Sequence, residues 1–262
     1  MSAVTENLSD QQTTHAPSRT VARALAVSLA CTTFVVVVVN YLIYTARWDF
    51  IKWHPEYMAK RPPTISRALS DPRVGEPFAE WMAICAPVLF VGVLLLAGMA
   101  LKEFLLVGRP PKRDAMRITV LTGLVCGLQG LACVGMVMLS HYRFPDHNDM
   151  HMTGSYLFFF SQAFVVVFGE ILSRSYAKMP PEGLVFSPKF AQFRKRYVWV
   201  PISLGVAYLG LFVIKHFDLG ALSKPLYTGY VSVEPLLLSS FLFYVLAYAP
   251  DCLTAMRSYW RS

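Results

Sequence analysis

The sequence predicts an all-α, polytopic membrane protein, a bundle of six transmembrane helices. Three observations predict it. Of 262 residues, 55% are hydrophobic and 15% charged, against about 25% charged in an ordinary soluble domain. The apolar residues gather into runs at 24–45, 83–101, 118–140, 153–173, 197–215 and 231–249, each near the roughly 20 residues that cross a bilayer core. The segments between the runs alternate in basic charge, as loops on opposite sides of a membrane do.

That alternation sets an expected orientation. Fifteen of the 24 Lys and Arg fall on the side of both termini, and the other nine share the opposite side with nine acidic residues, which balance them. The positive-inside rule makes the fifteen-residue side cytoplasmic. The net +8 of the chain therefore sits inside, facing the anionic leaflet, and nothing calls for nucleic acid. The expected organisation is a disordered cytoplasmic tail over 1–22, a transmembrane domain over 23–256 and a short cytoplasmic tail over 257–262. The first 20 residues are polar, and the first apolar run is too long for a signal-peptide core, so it reads as an anchor.

The first span ends in Asn40, Tyr41, Tyr44 and Trp48, an aromatic belt for the outer interface. The outer loop 47–80 carries Pro55, Pro62, Pro63, Pro72 and Pro77, which exclude one continuous helix. A short helix over 66–70 is expected there, with Thr64 as its cap. A kink is expected in the second span at Pro87 and Gly92. Gly123 and Gly127 in the third span have the spacing of a close helix contact, and Gln129 needs a polar partner. The segment before the fifth span, with Arg194, Lys195 and Arg196, reads as a basic aromatic junction for phospholipid headgroups. The sixth span is expected to begin near Ser232, with Glu234 and Pro235 in its first turn.

The stretch from His147 to Glu170 carries most of the chemistry. Advancing about 100° per residue puts His151, Ser155, Gln162 and Gly169 on one stripe of the fourth span. A polar stripe in a lipid-embedded helix faces protein. Ser155 and Gln162 then either join helices or line a cavity topped by His151. Apart from His15, every histidine lies on the outer side. His147 and His151 stand four residues apart, which puts both on one helical face and leaves a metal-dependent hydrolase as one reading and a solvated loop as the other. No metal site or cofactor is assigned. The five cysteines form no CxxC pair and read as small buried hydrophobes.

Several short signatures carry a resemblance. They are PTIS over Pro63–Ser66 in the first outer loop, HMTGSYLFF with His151 opening the fourth span, and Glu234 near the start of the sixth. With the basic junction at Arg194–Arg196, their order across about 24–255 resembles the FRAG/DRAM/SFK family of six-span membrane proteins. That family includes the post-GPI-attachment remodelling protein and the N-terminal region of CWH-type proteins. The chain departs from it at Pro235, where the family has an aromatic residue, and at Arg61–Pro62, where GPI-remodelling members carry Asn.

The resemblance implies work on membrane lipid or lipid-anchored substrates at a polar site near the outer or luminal face. It implies a plasma-membrane location in a bacterial cell and an ER, Golgi or lysosomal one otherwise. In the expected site His151 and Glu234 are catalytic, and Asn40, Ser66, Ser155 and Gln162 bind substrate: topology sets His151, Glu234, Asn40 and Ser66 at similar depth, and Ser155 and Gln162 continue the stripe below His151. The alternatives are a metal-dependent membrane hydrolase and a non-catalytic organiser in trafficking or autophagy.

Overall fold

The structure, a computed structural model, describes residues 18–179 and 185–261. The N-terminal segment expected to be disordered lies, up to residue 17, outside the described residues. The chain forms α1 (Arg19–Trp53), α2 (Pro55–Lys60), α3 (Ile65–Ala68), α4 (Pro72–Leu106), α5 (Lys112–His141), α6 (Asn148–Tyr176), α7 (Pro188–Tyr197), α8 (Trp199–Ile214), α9 (Ser223–Leu246) and α10 (Ala249–Arg261). Among the described residues, six stretches are long and apolar enough to cross a membrane: α1, α4, α5, α6, α8 with most of α7, and α9 with α10. The chain is an integral multi-pass membrane protein.

The helices overrun the apolar runs. α1 and α4 have 35 residues each, about 52 Å at 1.5 Å per residue, against a hydrocarbon core of about 30 Å. Their extra turns stand at the end of the bundle opposite the termini, here called the distal end. α1 starts where Ser18 accepts the amide of Val21 at 3.4 Å. α4 starts at Pro72, eleven residues ahead of its apolar run, because Asp71 accepts the Arg73 amide at 3.0 Å and proline suits a first turn.

α9 likewise starts at Ser223, preceded by a 3-10 turn at Gly220–Leu222. Glu234 and Pro235 therefore lie in the helix interior and not in its first turn, so the helix dipole does not act on Glu234 as the sequence suggested. Pro235 has no N–H for the carbonyl of Val231, one turn back. The Arg47 guanidinium of α1 fills the vacancy, its Nη1 donating to Val231 O at 3.3 Å.

The elements pack as a chain of neighbours. α1 lies against α4, α4 against α5, and α5 against α6; on the other side α1 lies against α9, and α9 against α8. α6 meets α8 and α9 only sparingly. The ring of helices is thus nearly closed, with a gap between α6 and the α8–α9 pair.

The tightest seam is α5 on α6. A Cβ on Gly135 would stand 2.5 Å from the Phe158 amide nitrogen, and one on Gly154 would stand 2.7 Å from that of Leu139. Both sites admit only glycine, since backbone stands in the way. Gly123 and Gly127 meet nothing within 4 Å, so the expected close contact at that pair is not made. Gly135 is twelve residues beyond Gly123, about a third of a turn round the helix axis. Gln129 finds its partner in Gln162, with Nε2 donating to Oε1 at 3.4 Å across the same seam.

At the end that carries the termini, the basic junction divides. Lys195 and Arg196 are exposed, while Arg194 is 1% exposed. Arg194 Nη1 donates to the buried carboxylate of Asp251 in α10, Nε donates to Ser173 Oγ at 3.0 Å, and the guanidinium lies 4.7 Å from the Tyr248 ring. Arg194 ties α7 to α6 and α10 and does not face headgroups.

Candidate functional site

The gap between α6 and the α8–α9 pair is a cavity of about 1040 Å³, at the upper end of the roughly 300–1000 Å³ of small-molecule sites. Along α6 it is lined from Asn148 to Val167, about 28 Å at 1.5 Å per residue. That is nearly twice the acyl layer of one leaflet, about half of a 30 Å core. Its two ends differ in chemistry. The deep part is walled by Phe159, Val166, Pro201, Val206, Leu209 and Phe241; the distal end carries Arg61, Arg67, Lys215, Ser66, His151 and Glu234. Tyr156, Phe160, Val206 and Leu209 line the cavity and are also 49–69% exposed. The cavity therefore opens sideways, through an apolar slot between α6 and α8.

The distal end is built around α3. Thr64 caps this short helix, its Oγ1 accepting the Arg67 amide at 3.0 Å. Ile65, Ala68 and Leu69 anchor it in the core at 0–4% exposure. Two neighbouring residues of α3 are then gripped by two spans. The Ile65 amide donates to Glu234 Oε2 at 2.9 Å, and Ser66 Oγ lies 2.9 Å from His151 Nε2. His151 Nδ1 lies 2.9 Å from the carbonyl oxygen of Tyr142. A carbonyl only accepts, so Nδ1 carries the hydrogen. In the neutral ring Nε2 is then the acceptor, and the Ser66 hydroxyl donates to it. His151 and Glu234 are each 4% exposed.

The cations are held in aromatic settings. The Arg61 guanidinium lies 5.2 Å from the Tyr227 ring, and Arg67 lies 5.1 Å from that of Tyr57. Lys215 Nζ sits 4.2 Å from the ring centroids of both Phe212 and Tyr230. Its bond to Tyr57 raises the pKa of Arg61. Burial lowers that of Lys215, opposed by the nearby Glu234 carboxylate. The Arg67 Nε is buried without a protein partner.

Of the residues singled out from sequence, the structure brings Ser66, His151, Ser155 and Glu234 to the cavity. His151 and Glu234 are joined through adjacent residues of α3 rather than to each other. The Ser155 hydroxyl donates back to His151 O at 2.8 Å. Asn40 does not reach the cavity: its Oδ1 accepts Ser239 Oγ at 2.5 Å and its Nδ2 donates to Val36 O at 2.7 Å, at the α1–α9 contact. Gln162 faces Gln129 in the α5–α6 seam. His147 precedes α6 and is exposed. Both ring nitrogens of His151 are engaged, and among the described residues no three His, Cys, Asp or Glu converge as a metal site. The expected metal-dependent alternative thus lacks a donor set there. From sequence, Arg67 and Lys215 count only as topology charges, and Arg61 otherwise only as a departure from the family pattern. Their one signal was position, Arg61 and Arg67 in the proline-rich outer loop and Lys215 at the end of the fifth span.

A family model described as Frag1/DRAM/Sfk1/Cwh43P N-terminal domain matches residues 20–254. No individual curated protein and no solved structure matches. The match runs from the first turn of α1 to α10, so it covers all six spans and the loop that carries α3, and on that ground the chain belongs to the Frag1/DRAM/Sfk1/Cwh43P N-terminal domain family.

Proposed function

We propose that the protein handles a membrane lipid or the lipid part of an anchored substrate, in remodelling of the GPI-anchor type or a divergent equivalent. The lipid enters through the slot between α6 and α8. Its chains lie against the apolar walls, and its phosphate faces Arg61, Arg67 and Lys215. The observation that carries this reading is the division of one cavity into a cationic end and a long apolar end. An apolar channel open to lipid would fill with acyl chain, and three cations at its head favour an anionic headgroup. Each is worth about 1 kcal/mol toward an anionic lipid, roughly fivefold in retention. The distribution of basic residues supports placing this end on the outer or luminal side, with both termini cytoplasmic.

The test is the lipid that stays with the protein. Protein extracted in mild detergent is analysed by native mass spectrometry for bound phospholipid. Gly205 lines the cavity, and a Cβ there would meet only Leu237 Cδ1 at 3.9 Å, so Gly205→Trp fills the space without striking backbone. Wild type retains about one lipid and Gly205→Trp loses it. Equal retention in both would remove the cavity from the account. A pure organiser of trafficking or autophagy would keep its cellular role in the Gly205→Trp variant.

A further inference from the structure

The geometry points to Ser66 as an acyl-accepting nucleophile, with His151 as its base, so that the protein transfers an acyl chain from a lipid ester. This inference rests on the reading that the cavity takes a lipid.

The parts of a serine nucleophile site are present in the right order. Ser66 Oγ is 2.9 Å from His151 Nε2, and the far nitrogen of the ring is fixed on Tyr142 O at 2.9 Å. The nucleophile meets a base, and a third group orients the base. That third group sets the tautomer: Nδ1 keeps its hydrogen, and Nε2 offers a lone pair to the hydroxyl. His151 is 4% exposed, while Ser66 is half-buried and lines the cavity. The base is shielded from bulk water and the hydroxyl is open to the cavity. Arg61 and Arg67 line the same end, where a guanidinium stabilises negative charge on a carbonyl oxygen.

A purely structural tie explains less. α3 is already fastened by its Thr64 cap, by the Ile65 amide on Glu234, and by three core side chains. The Ser66–His151 bond adds little to that fastening. It is also the one tie of the three whose donor is a hydroxyl facing the cavity.

Ser66 Oγ adds to the carbonyl carbon of a glycerolipid ester while His151 Nε2 takes the hydroxyl proton. The bond from that carbon to the glycerol oxygen breaks, and the proton passes from Nε2 to the leaving oxygen. The products are acyl-Ser66 and a lysolipid. An acceptor hydroxyl, from a second lipid or from water, then gives its proton to Nε2 and adds to the acyl carbon; the bond from that carbon to Ser66 Oγ breaks, and Nε2 passes the proton to Oγ, which restores Ser66 and the neutral ring.

The full chain in nanodiscs of phosphatidylcholine and phosphatidylglycerol with alkyne-tagged acyl chains provides the test. Peptide mass spectrometry should find the tagged acyl group on Ser66 in the wild type and none in Ser66→Ala. Ser66→Cys should hold it as a thioester that neutral hydroxylamine releases. His151→Asn should slow acylation by about 10²–10⁴-fold, the range for loss of a general base. Ser66→Ala should keep the wild-type melting temperature and bound lipid, which separates lost chemistry from lost fold. If wild type retains lipid in a Gly205→Trp-sensitive way, yet neither it nor Ser66→Cys carries an acyl mark at residue 66, the nucleophile is refuted and the lipid-handling reading stands. If no lipid is retained at all, both fall.

Discussion

Glu234 illustrates how one buried carboxylate organises a loop. Its oxygen receives the Ile65 amide at 2.9 Å, inside a shell that leaves it 4% exposed. Glu234→Ala would leave that amide buried without a partner, at a cost of about 1–3 kcal/mol. Glu234→Gln keeps an oxygen acceptor and should cost less. Thermal unfolding of the detergent-purified variants should therefore order them as wild type, Gln, then Ala; equal melting temperatures for Ala and wild type would remove Glu234 from the support of α3. Asp71 at the head of α4 offers a pH test. Arg73 and His54 hold its carboxyl well below the usual carboxylate range, with Arg73 the larger influence. A depressed folded pKa contributes stability that is complete above the unfolded value, about 3.9, and is lost as pH falls toward the folded value. Asp71→Asn should thus be less stable than wild type at pH 7, and the gap should begin to narrow below about pH 4. A gap unchanged at pH 3 would mean that the ion pair contributes nothing.

At the scale of elements, the α5–α6 seam separates a spacing motif from an actual contact. Gly135→Ala drives a Cβ to 2.5 Å from backbone, and overpacking of that kind costs about 1–3 kcal/mol. Gly123→Leu meets open space and should leave the melting temperature unchanged. The opposite ranking would show that the seam is misplaced. The contrast also marks how far the sequence could be read. Hydropathy found six spans because each must cross the same apolar layer, and Thr64 announced the α3 cap through residue type alone. Topology then gave the depth of each polar group but not its direction round the helix axis. Asn40 and Gln162 were placed at plausible depths, and each turned out to face a neighbouring helix: Ser239 for one, Gln129 for the other. The early start of α9 was hidden because its first turns are polar and Pro235 looks like a first-turn residue. Ser66 and His151 stood out through the resemblance, but their hydrogen bond joins residues 85 positions apart, which no local pattern encodes.

For the whole molecule, the arrangement of neighbours creates the cavity. α8 touches little besides α9, and in the helix itself only Pro201 is buried. A span so lightly packed leaves a slot on its α6 side and a wide lipid-facing surface on the other. The orientation expected from basic charge puts the distal end outside. Single cysteines at exposed Glu56 and Lys195, in a protein otherwise free of cysteine, test it with a membrane-impermeant reagent applied to intact cells: Glu56→Cys should react and Lys195→Cys should not, and the reverse pattern would invert the protein.

The proposed lipid occupies the cavity with its chains between α6 and α8. The most direct measurement is photocrosslinking, in nanodiscs, of a phospholipid with a diazirine on its acyl chain, followed by peptide mapping. The account predicts crosslinks at cavity residues such as Phe159, Val166 and Pro201 that disappear in Gly205→Trp, while crosslinks at exposed positions outside it, such as Val37 and Val120, persist. Crosslinks confined to those outer positions, or cavity crosslinks indifferent to Gly205→Trp, would contradict it.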